Sequence, residues 1–124
     1  MKYLGLGYFE KKKMDALPTE KVEAIMQTCQ VHLEEFYKSG QVMADVGVAQ
    51  EAKSLQRVDG NIQVGESQLT QLEKMIGSAF IIEAQNIEEA IEIASLHPTV
   101  QVTEAEQLGW EIEIRAIDSF YMKN

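Results

Sequence analysis

Hydrophobic and polar positions change period several times along this chain, and each change marks an element. Residues 2–9 (KYLGLGYF) carry aromatic and aliphatic side chains on both parities. Leu4, Leu6 and Tyr8 point one way, and Tyr3, Gly5, Gly7 and Phe9 the other, which predicts a strand covered on both faces. EKKKMDALP follows and reads as a charged, solvated loop that includes Lys11, Lys12 and Lys13. Pro18-Thr19-Glu20 opens a helix, in which Val22, Ile25, Met26, Cys29, Leu33 and Phe36 form one apolar stripe and Gly40 supplies the stop. Gln41 to Val48 alternates as a half-buried strand near a sheet edge, with Val42, Ala44, Val46 and Val48 on one face and Gln41, Met43, Asp45 and Gly47 on the other.

Leu55 to Val58 and Asn61 to Val64 flank Asp59-Gly60, the signature of a two-residue hairpin turn. Ser67 is placed to cap a short helix through Leu69, Leu72 and Ile76, closed by Gly77. Ser78 to Glu83 is the second segment apolar on both faces. Asn86 caps a helix carrying Ile87, Ala90, Ile91 and Ala94, with Glu88 and Glu89 in the favourable first turn and Pro98 ending it. Trp110 to Ile117 alternates again, Trp110, Ile112, Ile114 and Ala116 against Glu111, Glu113, Arg115 and Ile117. The order is that of an α+β, ferredoxin-like βαββαβ unit with a hairpin and a short helix inserted. The two segments apolar on both faces occupy the central positions. Two helices cover one face of such a sheet, so the other face calls for a second copy of the chain.

Composition narrows the function. The 124 residues fit a single domain spanning 1–124, with 45% hydrophobic and 25% charged residues. A net charge of −9 argues against nucleic acid and anionic membrane surfaces as partners. The lone Cys29, read as an apolar core filler, excludes an intrachain disulfide and fits a reducing, cytoplasmic setting. The N-terminus enters a strand at once and lacks signal-peptide anatomy. No run of residues is long and apolar enough to span a bilayer. Two histidines without metal-ligand spacing, and no glycine-rich phosphate loop, predict neither a metal nor a nucleotide cofactor.

Several stretches together resemble the YCII-related (DGPF domain) family: the opening MKYL, HLEEFYKSGQV, VDGNIQV, EAQNIEEAIEIASLHP and EIEIRAI. The resemblance covers nearly the whole chain. It implies a bacterial, cytoplasmic subunit of ferredoxin-like fold that dimerises through its sheets into an α+β barrel. It also implies a His–Asp pair of the kind proposed in the smaller members. The Asp-Gly-Pro-Phe signature falls near Gly65-Glu66-Ser67-Gln68, where only its polar turn character survives. A downstream Lys-Glu pair is reduced to Glu73, and Ala116 replaces the proline after the final arginine.

His32 matches the family's helix histidine, in the pattern His-Leu-x-x-Leu with Phe36 in the last place. An imidazole at the edge of an apolar stripe suits acid–base work, or else is a boundary residue bonded to backbone or water. Its candidate orienting carboxylates are Asp45 and Glu51, with Glu113 of a second subunit as another. Asp45 lies on the strand face opposite Val42 and Val46; a face turned away from the helices would put it out of reach of His32. Glu113, Arg115 and Trp110 are candidates for a ligand pocket; Glu111, Glu113 and Arg115 read equally as an interfacial ion-pair network or a solvated strand face. His97 precedes Pro98 at a helix end, where a cationic imidazole suits the dipole. The functional expectation is a homodimer binding a small apolar or aromatic ligand in a cleft. The alternative is a cofactor-independent lyase or hydrolase using His32 with a nearby carboxylate.

Overall fold

The structure is a computed structural model and describes residues 1–66 and 73–124. Among the described residues, six strands and five helices follow in the order β1 (Lys2–Glu10), α1 (Lys11–Asp15), α2 (Thr19–Lys38), β2 (Val42–Gly47), β3 (Lys53–Val58), β4 (Asn61–Glu66), β5 (Lys74–Glu83), α3 (Ile87–Ala94), α4 (Pro98–Gln101), α5 (Ala105–Leu108) and β6 (Glu111–Ala116). The main sheet runs β2-β5-β1-β6, antiparallel throughout, so the two segments apolar on both faces are its centre. This α+β arrangement is compatible with a ferredoxin-like fold. No helix among the described residues is long and apolar enough to cross a membrane.

On the helix-facing side, residues opposed across the strands form rows. One row is Asp45–Phe80–Gly5–Ile114; the next is Gly47–Ser78–Gly7–Ile112. The glycines are required by packing. A Cβ on Gly5 would lie 2.1 Å from the Phe80 ring, and one on Gly7 would lie 2.3 Å from the Ser78 hydroxyl oxygen. Phe36, Phe80, Ile25 and Ile82 are the largest fully buried side chains, each removing apolar surface worth roughly 1.5–3 kcal/mol. Asn86 caps α3 as expected, accepting the Glu89 N–H at 2.9 Å.

On the opposite side Leu4, Leu6 and Tyr8 line up with Ile81, Ala79 and Ile76 of β5, flanked by Arg115, Glu113 and Glu111 of β6. Among the described residues α2 and α3 pack on the other face. Leu4, Leu6 and Tyr8 are left half-buried and Ile76 exposed, and the C-terminal Phe120 ring lies at the Lys2 end of this face. β3 and β4 form a separate two-stranded sheet, turned by Asp59 (φ 51°) and Gly60 (φ 82°). Both residues take positive φ, as a type I′ turn demands. Leu55, Ile62 and Val64 share one of its faces and are more than 60% exposed.

Three local expectations are corrected. The lysine-rich segment is a short helix, α1, in which Lys11 pairs with Asp15 at 2.5 Å. Ile76 and Gly77 do not end a helix, because pairing with the long β1 extends β5 back to Lys74, with Met75 opposite Phe9 and Gly77 as a bulge. The remainder of that short helix, Ser67 to Leu72, lies outside the described residues. Pro98 does not end α3, which stops at Ala94; it starts α4 at the position where its missing N–H costs nothing.

Candidate functional site

A cleft of about 440 Å³ opens between α2, the free edge of β2 and the start of α4. Met26, Cys29 and Leu33 of α2 form one wall, and Gly7, Tyr8 and Phe9 of β1 with Ser78 of β5 the floor. Asp45 to Val48 make the rim, and His97, Pro98, Thr99 and Trp110 close the far end. The α2 stripe is therefore not wholly a core stripe: Ile25 and Phe36 are buried, whereas Met26 is exposed and Cys29 half-buried toward the cleft. Burial, and then the Glu104 charge, push the Cys29 thiol up, so it stays protonated at neutral pH and is a poor nucleophile.

Asp45 reaches the cleft through an irregularity. The register slips between Val42 and Ala44, so Val42 opposes Ile82 and Asp45 opposes Phe80. Strict alternation would place Asp45 opposite Val42's face; the bulge puts both on the helix side. There the Tyr37 hydroxyl donates to the Asp45 carboxylate. That bond, reinforced by partial burial and the Asp45 charge, pushes the Tyr37 phenol up to about 12.

His97 is the residue that pattern reading misplaced. It is 4% exposed, stacked on Phe80 (5.0 Å between centroids, 21°) and edge-on to Phe36 (5.1 Å, 83°). It is not a cation at a helix C-terminus. Burial brings its pKa down to about 4 despite the opposing pull of Asp45, so the imidazole is neutral at pH 7. Its Nδ1 accepts the Thr99 N–H at 3.1 Å and thereby caps α4. A detectable signal lay in the spacing Ala90, Ala94, His97, which continues the buried stripe of α3.

The other expected site residues disperse. His32 is half-buried on α2 and does not line this cleft. Glu51 is exposed in the segment after β2, where Gln50 rather than Glu51 borders the cleft. Glu113 and Arg115 are exposed on the uncovered sheet face, Glu113 bordering a mostly charged hollow with Tyr8, Lys74, Glu111 and Ile112. Trp110 does line the cleft, and its indole N–H is buried without a hydrogen-bond partner among the described residues. Among the described residues no cluster of three His, Cys, Asp or Glu is placed to hold a metal ion.

The fold and cleft define a small α+β domain with an apolar pocket and a few convergent polar groups. A family profile for the YCII-related domain matches residues 1–109, and the chain belongs to that family. No curated protein matches it significantly.

Proposed function

We propose that this YCII-related protein binds a small, largely apolar or aromatic molecule in the cleft between α2 and the β2 edge. The observation that carries the reading is the cleft itself. Its volume lies in the range of small-molecule sites, and apolar walls surround a few polar groups on rigid elements: Asp45, Ser78, His97 and Thr99. Trp110 is the chain's single tryptophan and lines the cleft, so its fluorescence reports occupancy directly. Titration with a library of neutral aromatic and alicyclic fragments should change Trp110 emission saturably for a subset of them. Absence of any saturable change at millimolar concentrations overturns the reading.

A second reading, acid–base turnover without a cofactor, is favoured by one observation: Asp45 and the imidazole of His97 share the cleft. His32 remains the candidate by resemblance, while cleft position favours Asp45 as the base, with the His97 Nε2–H as a hydrogen-bond donor beside it. Both readings belong to a cytoplasmic homodimer. The support is the row of Leu4, Leu6 and Tyr8 beside Ile81, Ala79 and Ile76 on the sheet face opposite α2 and α3, where among the described residues these side chains are left half-buried or exposed. Arg115 and Glu113 stand on the same face two residues apart, so a twofold axis lets each meet the other's partner.

A further inference from the structure

We propose that His97 acts as a neutral hydrogen-bond donor in the cleft and selects ligands bearing an uncharged carbonyl oxygen. The inference rests on the cleft being the binding site and names the ligand chemistry.

The argument is geometric. An imidazole nitrogen that accepts a hydrogen bond carries no proton. Nδ1 of His97 accepts the Thr99 backbone N–H at 3.1 Å, so in the neutral ring the proton resides on Nε2. Protonating Nδ1 would set two donors against each other and remove the cap of α4. Phe80 and Phe36 pack the ring on its face and edge, which fixes where Nε2 points. Among the described residues no group bonds to Nε2; His97 is only 4% exposed and lines the cleft, yet Nε2 is not sealed from it. A donor held in place at an apolar cleft wall meets a ligand acceptor without having to be reoriented. Backbone and ring stacking thus preset this histidine as a donor, leaving it no acceptor function toward the cleft.

Two further groups narrow the class. Asp45 lines the same cleft and disfavours an anionic ligand nearby. Trp110, whose indole N–H is buried without a partner among the described residues, adds an aromatic surface to the same cleft. The walls from Met26, Leu33 and Pro98 suit a ring or branched hydrocarbon body. The ligand class is therefore an aromatic or alicyclic ketone, aldehyde or lactone.

The test compares acetophenone with α-methylstyrene, which has nearly the same shape but a methylene in place of the carbonyl oxygen, and with benzoate. Binding is followed by amide chemical shifts, and the His97 tautomer by long-range proton–nitrogen correlation in protein with labelled histidine. The expected result is a protonated Nε2, acetophenone binding about tenfold tighter than α-methylstyrene and benzoate, and an Nε2 shift on adding acetophenone alone. In His97→Phe, which retains the stacking, the preference should vanish. Equal binding of acetophenone and α-methylstyrene in the cleft overturns the donor inference and leaves the cleft reading standing. Tighter binding of benzoate, or a proton on Nδ1, also overturns the inference. Failure of all three to perturb the cleft overturns both.

Discussion

The imidazole of His97 lies parallel to the Phe80 ring, 5.0 Å away, and Phe80 in turn lies against the bare α-carbon of Gly5. This stack of glycine, phenylalanine and histidine joins the centre of the sheet to the end of the cleft. Its consequences are measurable at each level.

The first concerns pH. The folded-state pKa of His97 is about 4, below the ordinary 6.5. Between those values the unfolded chain binds a proton that the folded one does not, so this contribution to stability is complete above pH 6.5 and is lost as pH falls toward 4. Wild-type protein should be about 2 kcal/mol less stable at pH 5 than at pH 7 from this source. His97→Phe should lack that part of the pH dependence, as read by urea denaturation at both values. Parallel pH profiles for the two proteins would show that His97 is not buried neutral.

The second concerns Gly5. An alanine methyl there meets the Phe80 ring at 2.1 Å, so Gly5→Ala should lower stability by about 1–3 kcal/mol through overpacking. Gly65→Ala, where a Cβ meets nothing within 4 Å, should change it by less than about 0.5 kcal/mol. Equal effects in denaturant titrations would contradict the packing described.

Much of this framework was legible in the chain. Alternation on both parities identified β1 and β5 as central, and the spacing from Val22 to Phe36 identified α2. The N-cap Asn86 and the Asp59-Gly60 turn were equally plain, because each rests on local chemistry. What failed depended on partners distant in sequence. Lys74 to Gly77 is strand because β1 is long enough to pair with it, which the polar approach to residue 74 conceals. Asp45 faces the helices because of a bulge that no strict alternation rule contains. His97 seemed a helix-end cation because Pro98 suggested a stop, whereas packing against Phe36 and Phe80 makes it a core residue with one edge on the cleft.

The third prediction tests the bulge. Because the Tyr37 hydroxyl donates to Asp45, Asp45→Asn should return the Tyr37 phenol from about 12 toward the usual 10. NMR titration of labelled tyrosine reads this directly. An unchanged Tyr37 titration would place Asp45 elsewhere.

The fourth tests the uncovered sheet face. Light scattering at micromolar concentration should give twice the 14.0 kDa chain mass. Leu6→Arg, which puts a charge in the middle of that face, should give the single-chain mass with an unchanged circular dichroism spectrum. A wild-type monomer would remove the second subunit from the account.

The most direct test of the central claim is a crystal structure of the protein soaked with the fragment that changes Trp110 fluorescence most. The account predicts density for the fragment over Gly7 and Ser78, between Leu33 of α2 and the Asp45–Val48 rim, with its polar atom toward His97. A fragment bound instead on the uncovered sheet face or the β3–β4 hairpin, with the cleft filled by its own side chains, would contradict it.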